Sequence, residues 1–225
     1  MMKRIALSVL SALVLAGMGM AQEAAVPVCQ EPRHRLKLEN EYVHVCDVLV
    51  PPGETTGFHT HSHDLVAVME SNSEMKAEFQ GGEPQRKVTE DGDIRVIEVL
   101  KPYTHRETNV GKTPFHLTLV QLMKATPEHK QVAAGRSKPA VENQRVRVYR
   151  WTLAPGQSSG LHSHELPYVI VAVKGGELLM MGPNGEGSRN EQVKPGDFHF
   201  VNFKVTHSLT NAGEGPMELV EIEVK

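Results

Sequence analysis

The chain has 225 residues, of which 40% are hydrophobic and 23% are charged, and its formal net charge is -3 at pH 7. This length and composition fit one or two globular domains. The near-neutral charge, with lysine and arginine scattered along the chain, gives no basis for binding nucleic acid or an anionic membrane surface.

The first 21 residues have the features of a secretory signal peptide. Lys3 and Arg4 form a short basic region, residues 5–18 are apolar but too few to span a bilayer, and the small residues Gly19 and Ala21 precede a cleavage site. We predict cleavage between Ala21 and Gln22. The product is an exported protein, periplasmic or secreted, without stable membrane insertion; the alternative is an uncleaved membrane anchor.

Two cysteines follow, Cys29 and Cys46. In an oxidising compartment they can form one disulfide, and closing so short a loop stabilises a fold by roughly 3 kcal/mol. The alternative is two unpaired thiols, with Cys46 buried on a strand. The residues around the first cysteine, 22–38, are polar, and we expect an irregular N-terminal arm there.

From residue 39 onward, short β-branched and apolar runs alternate with Gly, Pro and Asn turns, which predicts an all-β sandwich or barrel. The run 40–50, which ends in a Pro-Gly turn, recurs 103 residues later as 143–153. The sequence His59-Thr60-His61 recurs as His162-Ser163-His164 at the same spacing. We therefore predict two copies of one unit, at 39–124 and 141–225, joined by a polar linker at 125–140.

Each copy resembles the cupin family. That family has a Gly six residues before a His-x-His pair, and later a third His with an Asn four residues after it. The matching residues here are Gly53, His59, His61, His105 and Asn109 in the first copy, and Gly156, His162, His164, His207 and Asn211 in the second. The resemblance implies two tandem jelly-roll barrels, a bicupin, and allows a homodimer by analogy.

Three histidines of each copy are candidate metal ligands. Alternate side chains share one face of a strand, so both members of a His-x-His pair point the same way. The resemblance adds a third ligand from a distant strand, which gives His59, His61 and His105 in one barrel and His162, His164 and His207 in the other. Three imidazoles leave positions open on a divalent transition metal, namely Fe, Ni, Cu, Zn or Mn. The alternative is a pair of degenerate barrels that bind no metal.

Both copies depart from the family at its glutamate ligand, where Leu65 and Tyr168 stand. The Tyr168 hydroxyl is a candidate ligand or acid, and the alternative is a core aromatic. His63 shares the parity of His59 and His61, so it is a candidate base or fourth ligand, or else a rim residue.

The leading hypothesis is an exported metal-binding bicupin that acts on a small organic molecule, as a three-histidine iron-type dioxygenase. Two alternatives stay open. One is a non-catalytic periplasmic protein that binds a metal or a small ligand. The other is a metal-assisted lyase, isomerase or decarboxylase.

Overall fold

The computed structural model describes residues 24–125 and 138–225. The predicted signal peptide and most of the predicted linker lie outside these ranges. The strands of the N-terminal half are β1 Val26–Pro27, β2 His34–Glu39, β3 Val43–Val50, β4 His59–His61, β5 Leu65–Met69, β6 Ser73–Phe79, β7 Gln85–Thr89, β8 Ile94–Ile97, β9 Tyr103–Asn109 and β10 Phe115–Leu122.

The strands of the C-terminal half are β11 Val141–Glu142, β12 Val146–Leu153, β13 His162–His164, β14 Tyr168–Lys174, β15 Gly176–Met181, β16 Arg189–Val193, β17 Phe198–Val201, β18 Val205–Asn211 and β19 Met217–Val224. Short 3-10 turns occupy Val28–Gln30 and Pro183–Gly185. Within the two described ranges, the structure contains no helix that could cross a bilayer.

Each half folds into two sheets, which confirms the predicted all-β class. The first half has the strand orders β2-β3-β10-β5-β8 and β1-β4-β9-β6-β7, and the second half has β11-β12-β19-β14-β17 and β13-β18-β15-β16. The pairing is antiparallel except between β1 and β4. Non-consecutive strands are neighbours in every sheet, as in a jelly roll. The exact limits of the two units stay a prediction.

Alternating side chains of the larger sheets serve two different cores. On β19, Met217 and Leu219 point into their own barrel, whereas Val220, Ile222 and Val224 face the other half of the chain. There they join valines of β3, β5 and β10 in one shared core. β5 and β14 are buried on both faces, which explains why their sequences are almost continuously apolar. The two barrels therefore pack back to back across the shared core.

The N-terminal arm is more regular than we predicted. Residues 34–39 form β2, which pairs with β3, and a disulfide joins Cys29 to Cys46 with the Cα atoms 6.0 Å apart. The expectation of an irregular segment was wrong because β2 is an edge strand. Its polar residues face solvent while His34 is buried.

The repeated asparagine is structural in both barrels. The Asn109 side-chain amide donates to the carbonyls of Val50 and Thr113, each at 2.8 Å. Asn211 makes the equivalent bonds to Leu153 and Gly215, also at 2.8 Å. A buried amide with its donors paired fixes the chain turn that follows the third histidine.

Candidate metal centres

The six predicted histidines lie in two buried groups, one in each barrel. β4 pairs with β9 so that His59 lies opposite His105, and β13 pairs with β18 so that His162 lies opposite His207. Because the second histidine of each pair shares the same face, three imidazoles converge in each group. The sequence periodicity and the long-range pairing together build both centres.

The first centre contains only imidazoles at close range. His61 Nε2 and His105 Nε2 are 3.0 Å apart, and the His59 ring lies 4.5 Å from that of His105. His59 Nδ1 lies 3.0 Å from the Gly57 carbonyl, so Nδ1 carries the proton and Nε2 keeps its lone pair. Burial lowers the pKa of His59 to about 3, of His61 to about 2 and of His105 to about 4. All three rings are therefore neutral near pH 7.

The second centre adds a carboxylate that the sequence analysis missed. Glu221 Oε1 lies 3.5 Å from His162 Nε2, 3.3 Å from His164 Nε2 and 3.8 Å from His207 Nε2. Glu221 is fully buried, and although burial alone would raise its pKa, hydrogen bonds from these histidines hold the pKa well below its usual range. The centre is therefore a set of three imidazoles and one anionic oxygen.

Glu221 comes from β19, far from the position where the cupin pattern has its glutamate. It pairs in register with Tyr149 and Ile170, while Leu119 of the first barrel pairs with Cys46 and Ala67. These registers are equivalent, so leucine and glutamate occupy the same place in the two barrels. The available signal was parity, since Glu221 lies two residues after the inward-facing Leu219 and therefore on the same face of β19.

Carboxylates and carbonyls outside the centres orient the imidazoles. His162 Nδ1 lies 2.9 Å from the Gly160 carbonyl, and His164 Nδ1 lies 3.1 Å from Glu223 Oε1. Such contacts fix the tautomer and direct Nε2 toward a metal.

Both donor sets fit a transition-metal ion. Two ligands at right angles, each about 2.1 Å from an ion, stand about 3.0 Å apart. The separations of 3.0 Å between His61 and His105 and 3.2 Å between His164 and His207 agree with that value. His59 Nε2 is buried with no hydrogen-bond partner among the described residues, as expected of a nitrogen that a metal would complete. The three histidines of each centre, with Glu221 in the second, would hold the ion.

Charged residues surround the first centre, and its cavity is small. The His34 ring packs at a tilt of 50° against that of His59, with centroids 4.5 Å apart, and His34 Nδ1 lies 2.6 Å from Glu31 Oε2. Burial alone would raise the pKa of Glu107, but Lys87 and then His105 lower it to about 2. The cavity at this centre measures about 80 Å³ and is also lined by the apolar residues Leu65, Ala67 and Met69. It has room for only a few atoms.

The second centre adjoins a much larger apolar cavity. Its volume is about 480 Å³, and it reaches the centre at His207 and Tyr168. Its inner wall is aliphatic and consists of Ile170, Ala172, Leu178, Met180, Val193 and Leu219. The charged lining residues, such as Glu186 and Arg189, are solvent-exposed. A small organic molecule therefore fits beside the second centre with its apolar part inside.

The two predicted catalytic candidates occupy different surroundings. Tyr168 is 3% exposed and its ring stacks on that of His164, with centroids 3.7 Å apart. It lines the larger cavity, and the role of its hydroxyl stays a prediction. His63 is half-buried with Nδ1 3.1 Å from Ser62 Oγ, and it does not line the cavity of the first centre as described. That position matches the rim alternative.

Comparisons with known proteins support the family resemblance. A family model described as "Cupin domain" matches residues 149–223. The β-alanine degradation protein BauB of Pseudomonas aeruginosa is 36% identical over 85 residues, which is 38% of this chain and 87% of that protein. The oxalate-binding protein of Thermotoga maritima is 31% identical over 86 residues, which is 38% of this chain and 68% of that protein.

A solved structure resembles nearly the whole chain in fold. AerE from Microcystis aeruginosa superposes with a TM-score of 0.59 at 13% identity, over 87% of this chain and 98% of that one. At this identity the similarity supports the fold alone.

Proposed function

The chain belongs to the cupin family, and from that premise we propose that it is a metal-dependent bicupin that acts on a small, largely apolar organic molecule in its second barrel. The observation that carries this proposal is the apolar cavity of about 480 Å³ beside the group of His162, His164, His207 and Glu221. Buried ligands at the end of a concave apolar cavity are typical of a substrate site.

Oxidative cleavage is the reaction class that these surroundings support best. A bound metal would supply adjacent open positions for substrate and O₂. A dioxygenase that cleaves its substrate and places both oxygen atoms in the products needs no external reductant, since the substrate supplies all four electrons. The chain's own residues exclude water with the aliphatic wall, orient the imidazoles through the Gly160 carbonyl and Glu223, and present Tyr168 beside His164.

Metal content of the purified protein, compared with His61→Ala and His164→Ala, tests the premise. We expect each variant to lose one equivalent, because each removes a ligand of one centre only. Oxygen uptake by the Fe(II) form with a panel of diketones, phenols and thiols then tests the reaction. We expect uptake to be lost in His164→Ala and kept in His61→Ala. Metal loss in neither variant would overturn the proposal.

A non-catalytic binding role is the second candidate, and the name of one relative favours it. One relative is named for binding oxalate and the other for β-alanine degradation. Both compounds are small and charged, whereas the inner wall of the larger cavity is aliphatic. Calorimetric titration of the metal-loaded protein with each compound distinguishes the binding role from the enzymatic role, since tight binding without turnover supports the binding role. A lyase or decarboxylase would instead consume substrate without oxygen.

We also propose that the protein is exported. The Cys29–Cys46 disulfide supports this, because structural disulfides persist in oxidising compartments. N-terminal sequencing of the mature protein is expected to start at Gln22. A mature chain that still begins at Met1 would contradict it. The homodimer stays a prediction that light scattering can test.

A further inference from the structure

Trp151 is the one tryptophan of the chain, and it contacts two residues of the second centre. It lies on β12 and is 9% exposed. Its ring stacks on that of His162, with centroids 5.0 Å apart and an interplanar angle of 26°. Its indole N–H donates to Glu221 Oε2 at 2.8 Å. The same side chain therefore touches one imidazole ligand and the carboxylate.

The two oxygens of Glu221 have different surroundings. Oε1 lies within 3.3 to 3.8 Å of the three histidine Nε2 atoms, whereas Oε2 accepts the indole N–H. A carboxylate can bind a metal through one oxygen or through both. Turning Oε2 toward the metal would leave the buried indole donor unpaired, which is unfavourable. The indole bond therefore favours attachment through Oε1 alone.

We propose that Trp151 is a positioning residue that keeps Glu221 a one-oxygen ligand and so preserves a second open position on the metal. A two-oxygen carboxylate would fill that position and leave room for substrate or O₂ but not both. The inference rests on the proposed function only in requiring that the second centre binds a metal. It is specific to this barrel, because the equivalent residues in the first are Val48 and Leu119.

Because the tryptophan is unique, its N–H can be deleted without changing its shape. Growth of a tryptophan auxotroph on 3-benzothienylalanine replaces the indole N–H by sulfur and keeps the stacked ring. The parent protein carries His61→Ala, so that Mn²⁺ binds only at the second centre. Trp151→Phe is a second variant, and thermal unfolding checks that each protein is folded. The probe is Mn²⁺ alone.

Water proton relaxation by bound Mn²⁺ reports how many waters the ion keeps. An octahedral ion with three imidazoles and one carboxylate oxygen keeps about two waters. We expect the benzothienyl protein and Trp151→Phe to keep about one, so that the relaxivity falls to about half. In Glu221→Gln the relaxivity should rise instead, because the tryptophan bond can persist on the amide oxygen while the ligand oxygen is lost.

Unchanged relaxivity in the benzothienyl protein would overturn the positioning role. A weaker Mn²⁺ affinity with an unchanged number of waters would also overturn it, since that result marks a packing role. If the His61→Ala parent binds neither Mn²⁺ nor Fe²⁺, the proposed function itself fails, and this is seen before the analogue is made.

Discussion

Glu221 is the residue whose replacement distinguishes the two centres most directly. The first barrel has Leu119 at the equivalent place, so Glu221→Leu gives the second centre the side chain that the first already has. The carboxylate is fully buried with Oε1 3.3 Å from His164 Nε2. We expect the variant to bind a divalent ion through three imidazoles alone.

The expected loss of affinity follows from removing one member of a buried charge pair. Such removals cost about 3–5 kcal/mol, which corresponds to a dissociation constant about 10²- to 4 × 10³-fold higher. The metal-free protein should also lose some stability, because the lowered pKa of Glu221 means that the charged carboxylate is favoured in the fold. The Trp151 N–H is left unpaired as well, which costs about 1–3 kcal/mol.

Titration with Co²⁺, followed by Trp151 fluorescence, measures this affinity at the second centre, because the indole stacks on His162. The matched control is Glu165→Gln, whose carboxylate is exposed and paired with Lys204. The control should titrate as wild type. If Glu221→Leu binds Co²⁺ as tightly as the control, Glu221 is not a ligand and the reasoning fails.

Three further predictions concern the surroundings of the centres. In metal-free protein, His59, His61 and His105 have pKa values below the ordinary 6.5. As the pH falls, these histidines therefore take up protons in the unfolded chain before they do so in the folded chain. Stability should be full above about pH 6.5 and fall toward pH 4 by up to about 1.4 kcal/mol per pH unit per histidine; equal urea midpoints at pH 7 and pH 5 would contradict this. Cys29→Ser removes the disulfide that holds the segment with Glu31 and His34 against the first centre. Metal content should therefore fall in a His164→Ala background, where only the first centre is intact, and should not change in a His61→Ala background. Val205→Tyr should narrow the larger cavity, so that 4-phenylimidazole no longer reaches the Co²⁺ ion of the second centre whereas azide still does. Binding of each compound is followed by the change in the visible spectrum of the Co²⁺ form, and a spectral change with both would contradict the prediction.

The fold and the histidines could be predicted because each depends on spacing. Strand parity puts His59 beside His61, and the repeat at 103 residues carries the same argument to His162 and His164. The third histidine needs long-range pairing, which came only from the family resemblance. β9 and β18 supply it in equivalent registers.

The carboxylate and the arm could not be predicted in the same way. Glu221 has no counterpart in the first copy, so the repeat gives no sign of it, and only its parity with Leu219 does. Glu31 and His34 precede the repeated unit, and the disulfide and β2 bring them to the first centre. Cavity volume depends on side-chain size across several strands, which a spacing pattern does not report.

The difference between the cavities follows from two equivalent positions at the open side of the centres. In the first barrel, Phe79 stacks on His105 and Tyr103 stacks on His61, with centroids 5.3 and 4.9 Å apart. By register, Gly182 and Val205 take their places in the second barrel, and both line the larger cavity.

The second barrel has its aromatic residues at other positions. There Trp151 lies against His162 and Tyr168 lies against His164, and of these two only Tyr168 lines the larger cavity. Two aromatic rings therefore narrow the first centre, whereas a glycine and a valine at the equivalent positions leave the second centre open. This favours chemistry on an organic molecule at the second centre, and at the first a bound ion reached by only a few atoms.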